Sequence, residues 1–475
     1  MLTEFLSHSL VLFNWFALVY FLVVNAIYLL LNIVAFFSIR GHYRAGMFAE
    51  DKTLFRNAAH LKPVTLVVPA YNEELTVVEN VRSLIHLNYP IFEVILVNDG
   101  SSDGTLDVLQ KALNLIQIDR AAPNDIPTKA VRGVYRSPDY ENLLVIDKHN
   151  GGKADALNVG INFSRYPLFT AIDSDSLLEK DVLLKMVRPF LEAPETVAVG
   201  GVIRVVNGCD VQDGEVVRIG LPSHPLAIFQ IVEYFRAFLF GRVGWEAVNM
   251  LLIISGAFGM FRKDAVIEVG GYGKTVGEDI ELVVKLHRYF LERRKPYKVR
   301  FIPQPVCWTE VPESWQVLGR QRNRWNRGLL DTCSIHRRML FNPKFGGIGL
   351  VAMPFQLFVE GLGWIFELFG YVMFAVAWYL GLLQPEFALA FMAVSILLGI
   401  IVSVSALVVE EFGLRRYPRA SMVAVLIVFG LLENFGYRQI NAAWRMLGTI
   451  DYLRGRQGWG VITRKGFAKK TTDKA

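Results

Sequence analysis

Cysteine is almost missing from this chain. Cys209, Cys307 and Cys333 stand far apart among 475 residues, a spacing that fits neither a disulfide framework nor a zinc site. A reducing cytoplasmic face suits them. The N-terminus lacks the basic start of a secretory signal: Glu4 and His8 precede the first apolar run, and Arg40, Arg44, Lys52 and Arg56 follow it. Most of the molecule also lacks positive charge. The formal net charge is +6, yet the segment from Arg438 onward alone holds nine Lys/Arg against two Asp, leaving the remainder close to −1. This distribution gives no basic surface for nucleic acid. It sets a basic tail beside anionic headgroups on the cytoplasmic side of a membrane.

Apolar length is what the chain has in excess. It is 53% hydrophobic, and the excess collects at the two ends. Val11 to Phe37 carries no charge and few polar residues, chiefly Asn14, Asn25 and Asn32, and exceeds the roughly 20 residues that cross a bilayer as a helix. It reads as an uncleaved anchor with its C-terminal side in the cytoplasm. A second apolar block runs from Ile348 to about Phe435, broken at Leu382–Phe387 and Glu410–Arg419. Between the breaks, Ala388 to Val409 is a clean span. Gln356, Glu360, Glu367, Glu433 and Asn434 suit an interface, a protein-facing groove or helix–helix hydrogen bonds. Three to five crossings are expected. The division is an anchor over 1–40, a linker over 41–62, a cytoplasmic α/β domain over 63–341, transmembrane and interfacial helices over 342–437, and a basic cytoplasmic tail over 438–475.

Strand and helix patterns alternate through the middle. "VTLVVPAYNEE" is a buried strand running into a loop, followed by helical spacing in "ELTVVENVRSLIHL". "FEVILVNDGSSDGT", "NLLVIDKHNGGKADALN" and "LFTAIDSDSLLEKDVLLKMV" repeat the scheme. The pattern predicts a mixed, mostly parallel sheet with helices on both faces. Ligands of such sheets collect at the carboxyl ends of the strands, and the polar cluster of each of these segments sits at one.

Each cluster also has a purely structural reading. "DGSSDGT" is good turn chemistry without a ligand, and Asp175 or Ser176 would cap a helix beginning near Leu177. Set against this, Asp173 and Asp175 at one strand end suit a hard divalent cation that shares a diphosphate. Gly151 and Gly152 allow close backbone approach, with Lys153 as a cation beside a phosphate. Gly277, Glu278 and Asp279 open a helix, where the dipole favours acids and where a general base would also serve. In "SWQVLGRQRNRWNRG", arginine suits diphosphate oxygens and Trp325 offers a flat face for a sugar ring.

The order PAYNEE, NDGSSDGT, GGKADALN, DSD, GED and QRNRW resembles the membrane-bound family 2 glycosyltransferases of the processive type, such as cellulose, chitin, hyaluronan and poly-N-acetylglucosamine synthases. The resemblance covers about Val64 to Arg327 and the flanking membrane pattern. It implies a GT-A fold and inverting transfer from a UDP-sugar with Mg²⁺ or Mn²⁺. Under it Ala70, Tyr71 and Glu73 lie by the nucleotide, Asp99 meets the base and Lys153 approaches the nucleotide. Asp173 and Asp175 hold the diphosphate and metal, with Asp175 the surer ligand. Asp279 is the base, with Glu278 beside it. Gln321, Arg324 and Trp325 match a Q-x-x-R-W pattern at the acceptor, and Ser255 and Gly256 match the acceptor-side loop loosely. "GWGVITRKGF" (458–467) resembles a short W-G-T-R gating loop interrupted by Val461 and Ile462, which implies that Trp459 and Arg464 close over the nucleotide. No PilZ-like regulatory domain is expected after it.

Three functions are compatible with these residues. The first is a synthase that extends a β-linked polysaccharide and threads it through the inner membrane, with a homo-oligomer or a periplasmic partner completing the channel. The second glycosylates a lipid acceptor and has no need of the Q-x-x-R-W platform. The third is a silent export scaffold, which has no need of Asp99, Asp173, Asp175 and Asp279 together.

Overall fold

A computed structural model of the chain describes residues 2–44, 61–212, 214–381, 385–413, 417–456 and 458. Its strands are β1 (Val64–Ala70), β2 (Phe92–Asn98), β3 (Ile116–Ile118), β4 (Val131–Arg136), β5 (Leu143–Lys148), β6 (Leu168–Ile172), β7 (Leu177–Leu178), β8 (Thr196–Val205), β9 (Asp210–Gln212), β10 (Glu215–Arg218), β11 (Phe258–Arg262) and β12 (Lys298–Thr309). Ten of them form one sheet in the order β3-β4-β5-β2-β1-β6-β11-β8-β12-β7, and β9 and β10 make a separate hairpin.

The sheet is mixed, but its parallel part is narrower than the sequence pattern suggests. Parallel pairing covers β5-β2-β1-β6 and the β8/β12 pair, whereas β3/β4, β4/β5, β6/β11, β11/β8 and β12/β7 are antiparallel. The parallel centre is built from strands buried on both faces, which is why they read as continuous apolar runs. In β1 only Pro69 is partly exposed. Register places Ala70 beside Asn98 and Asn98 beside Asp147, so three strands end together. β6 joins the same edge beside β1. Four loops therefore leave one rim of the sheet.

The helices that matter here are α1 (Leu2–Arg44), α2 (Val77–Ile85), α3 (Thr105–Ala112), α4 (Lys153–Phe163), α5 (Val182–Glu192), α6 (Pro225–Tyr234), α7 (Glu278–Glu292), α8 (Trp315–Ile335), α9 (Gly363–Tyr379), α10 (Leu398–Gly413), α11 (Ala420–Leu432) and α12 (Tyr437–Leu453). α5 corrects one expectation. The acids of DSD do not cap a helix near Leu177, because β7 intervenes and the helix starts only at Val182, after Asp181. Apolar Leu177 and Leu178 pair with β12 instead.

Among the described residues, α1 is the one helix long and apolar enough to cross a membrane alone. Ile348–Gly361 with α9, and α11 with α12, would each make a span if bends of 45° and 59° are bridged. The count is one, or up to three, and meets only the low end of the expected range. The first run breaks at Leu362, between Ile348–Gly361 and α9, and the last between Leu432 and Tyr437. In the expected Ala388–Val409 span the helix runs on through a π turn at Ala393–Leu397, and Leu398–Val408 is a short apolar helix among the described residues. α1 packs on α9 through Phe13–Phe369 and Tyr20–Phe366 ring contacts, with centroids 4.7 and 4.6 Å apart.

Candidate functional site

The first two rim loops are stitched to each other. Asn72, whose φ of 55° suits asparagine, accepts from Ser102 N at 2.8 Å, while its own N–H donates to Ser101 Oγ. Glu73 N–H donates to Thr105 Oγ1, and Gly104 N–H to Glu74. Glu73 also reaches the DSD turn: its Oε1 accepts from Ser174 Oγ at 2.9 Å. Tyr71 is left half-exposed at the cavity edge, 51% accessible, with its ring open to a stacking partner.

Asp99 is the most heavily bound acid. Lys148 Nζ lies 2.5 Å from its Oδ1, and Gly151 and Gly152 N–H donate to the two oxygens at 2.9 and 2.7 Å. Gly152 has φ +87°, a conformation that opens the turn for this contact. Lys148 also meets Asp155 at 2.8 Å and is fully buried. No motif marks this lysine in the sequence. Its one signal is a pair of charges, Asp147 and Lys148, closing an otherwise apolar strand, where burial requires partners.

Lys153 opens α4 and bridges two acids, Asp173 Oδ1 at 2.6 Å and Glu278 Oε1 at 3.1 Å. Burial alone would lower the ammonium pKa, but Asp173 and Glu278 outweigh it and hold Lys153 charged well above the ordinary range. Glu278 moves up as well. Its burial outweighs the attraction of Lys153, and Asp279 adds like charge. One ammonium serves two carboxylates, and Asp173 has the shorter contact. Asp279 is anchored by backbone: Gly256 N–H donates to Oδ2 at 3.0 Å, and Ile280 N–H to Oδ1 at 2.9 Å. The Ser255–Gly256 segment thus meets the helix-start acids.

α8 carries Gln321, Arg324 and Trp325, the last 41% exposed. Gly277 at the start of α7 and Gly328 in α8 touch backbone to backbone; a Cβ on either would lie within 2.8 Å of the other's Cα. All twelve described candidates, Ala70, Tyr71, Glu73, Asp99, Lys153, Asp173, Asp175, Glu278, Asp279, Gln321, Arg324 and Trp325, line one cavity of about 1820 Å³. It continues between the C-terminal helices, where Gln356, Glu360, Glu367 and Asn434 also line it. Glu433 does not. It is buried against Arg236 and accepts from Ser403 Oγ at 2.5 Å. Trp459 and Arg464 lie outside the described residues.

No cluster of three or more His, Cys, Asp or Glu suited to a metal occurs among the described residues. Asp173 and Asp175 nevertheless fit a cation completed by substrate phosphate, because Mg²⁺ is commonly held by one or two carboxylates and phosphates rather than by an all-protein cage.

Residues 65–270 match the model for glycosyl transferase family 2, and residues 168–404 match that for glycosyl transferase family group 2. A poly-beta-1,6-N-acetyl-D-glucosamine synthase of Staphylococcus aureus is 28% identical over 276 residues, 57% of this chain and 56% of that protein. The enzyme of the same name from Staphylococcus epidermidis is 26% identical over 315 residues, 66% of this chain and 65% of that one. The chain thus matches less than two thirds of the length of either relative. Among solved structures, a Pyrobaculum calidifontis mannosyltransferase in complex with GDP-Man and Mn²⁺ aligns with a TM-score of 0.50 and 17% identity, covering 90% of this chain and 99% of that one. That likeness bears on fold, and the fold is of the GT-A type.

Proposed function

We propose that this chain, which belongs to glycosyl transferase family 2, transfers a sugar from a UDP-sugar to the hydroxyl end of a growing β-linked polysaccharide at the cytoplasmic face of the membrane. The observation that carries the reading is the single cavity joining the strand-end acids, the helix-start acids and Gln321, Arg324 and Trp325, then running on among the C-terminal helices. Among the residues at its far end are Glu360, Glu367, Tyr371, Gln439 and Arg445, whose polar groups can hydrogen-bond a hydroxyl-rich chain. The relatives' names favour N-acetylglucosamine as the sugar.

The geometry supports the following mechanism. Tyr71 stacks on the base, and Asp99, tied down by Lys148 and two glycine amides, holds the loop that faces it. Asp173 and Asp175 would hold a divalent cation, Mg²⁺ or Mn²⁺, which when bound supplies charge that neutralises the leaving diphosphate. Lys153, released from one of its two acids, adds positive charge on the same side, and Arg324 faces the diphosphate from α8. Asp279 takes the proton of the acceptor hydroxyl. The oxygen attacks the anomeric carbon from the face opposite UDP, the bond to the diphosphate breaks, and its electron pair leaves with UDP. Trp325 supports the acceptor ring.

The test is UDP release by purified protein in detergent across a panel of UDP-sugars, with Mg²⁺ or Mn²⁺ and with EDTA, sizing the products. Release with one donor, high-mass product and loss in EDTA are expected. A product migrating only with lipid would overturn the polysaccharide reading, and no release with any donor would overturn transfer altogether.

A further inference from the structure

α4, which begins with Lys153, carries two asparagines one turn apart, Asn158 and Asn162, and both are buried. Asparagine is a poor helix former and is seldom buried without partners, so two in one short helix call for a reason. Each spends its amide on the backbone of a single residue. Asn158 Nδ2 donates to Tyr272 O at 3.0 Å, and its Oδ1 accepts from Tyr272 N at 2.8 Å. Asn162 Nδ2 donates to Ile126 O at 2.8 Å, and its Oδ1 accepts from Ile126 N at 3.1 Å. The two clamps are alike in chemistry and differ in what they hold.

Ile126 belongs to the connection between β3 and β4, which carries no candidate site residue. Tyr272 belongs to the short loop that leads into α7. Gly271 before it has φ +71°, and a Cβ there would collide with Asn158 Oδ1, so the loop is shaped to admit the amide. Ile126 packs on the same glycine, and the two clamps therefore share surroundings as well as chemistry. Beyond Tyr272 the loop is closed by its own hydrogen bonds. Thr275 N–H donates to Gly273 O at 3.0 Å, and Gly277 N–H to Thr275 Oγ1 at 3.3 Å. The next two residues are Glu278 and Asp279. Asn158 thus fixes the start of this loop to the helix whose first residue, Lys153, reaches Glu278.

We propose that Asn158 is a positioning residue for the transfer: by holding both backbone groups of Tyr272 it sets α4 and α7 in the register at which Lys153 bridges Asp173 and Glu278 and Asp279 faces the acceptor. This inference rests on the transfer reading above. Neither asparagine lines the large cavity, so an effect on turnover passes through the backbone that is held.

The experiment compares wild type, Asn158→Leu and Asn162→Leu in detergent, since leucine is close to asparagine in bulk and removes both amide bonds. Unfolding temperature is measured beside kcat and KM for UDP release. Both variants are expected to lose stability to a similar extent. Only Asn158→Leu is expected to lose kcat, by about ten- to a hundredfold, as small misplacements of reacting groups do, with Asn162→Leu within about threefold of wild type. Equal losses of kcat would make both asparagines structural ties and overturn the proposal. So would an unchanged kcat in folded Asn158→Leu. Where leucine prevents folding, Asn158→Ser and Asn162→Ser are compared in the same way. Wild-type protein that releases no UDP with any donor overturns the functional reading and this inference with it; an active wild type with the two variants alike overturns this inference only.

Discussion

The two ends of the cavity are built on opposite terms. At the end proposed to hold the nucleotide the charged groups already have partners: Asp99 takes Lys148 and two glycine amides, Asp173 takes Lys153, and Glu73 takes Ser174. At the proposed acceptor end, Gln321 Oε1 and Gln356 Nε2 are buried with no hydrogen-bond partner in the protein. The first region is set before anything binds, at a stability advantage. The second carries a cost that a hydroxylated chain would remove. A site that takes the same nucleotide at every turnover benefits from rigidity, whereas a path for a moving chain benefits from donors that no fixed partner claims.

The contrast can be broken first at Lys148. Methionine is close to lysine in bulk, but Lys148→Met leaves Asp99 and Asp155 buried without their cation. A loss of about 3–5 kcal/mol is expected, read as a large drop in the unfolding temperature in detergent together with loss of UDP binding. Retention of both would show that the knot is dispensable. Next comes the junction of the two ends. Asp279→Asn keeps the side chain's shape beside Gly256 but removes the proton acceptor, and kcat is expected to fall by about a hundredfold to ten-thousandfold while UDP affinity persists; a fall of less than tenfold would place the base elsewhere.

α7, which carries that acid, is anchored further along by His287. Its ring nitrogens meet Leu251 O and Tyr297 Oη, each at 2.7 Å, and burial depresses its pKa to about 4 from an ordinary 6.5. The folded state therefore favours the neutral ring, and the unfolded chain takes up a proton first. Stability is complete above pH 6.5 and is lost as pH falls toward 4, by about 3 kcal/mol. Melting temperatures across this window should show the loss in wild type and a flatter profile in His287→Gln. The smallest effect sharpens the other side. Gln356→Leu removes an unpartnered buried amide, so stability is expected to change by less than about 1 kcal/mol, while product length falls; a strongly destabilised variant would mean the amide is structural after all.

How much of this was written in the sequence depends on distance along the chain. The parallel units were legible because each strand, loop and helix is contiguous, and the acids at their ends came with them. β8, β11 and β12 were not, since their pairing depends on partners far away in sequence and no alternation marks them. The described candidate residues do converge on one cavity, yet their partners were hidden. Lys148 looked like the end of a strand, and no motif marks Glu233 or Tyr437, which are bonded to each other, and Glu233 to Arg322, only once α6 and α12 pack on α8. In the C-terminal block apolar composition measures length and is blind to the bends that follow Gly361 and Leu432.

The seam where Gly277 meets Gly328 has a further consequence for how such a protein can diversify. The helix bearing Asp279 and the helix bearing Trp325 meet there with no side chain between them, so their spacing has no adjustable filler. Even alanine at either position acts as a wedge against backbone. Small inherited changes cannot tune this gap by degrees, and a lineage exploring new acceptors would have to vary the cavity wall while leaving the ruler between base and platform at its single setting.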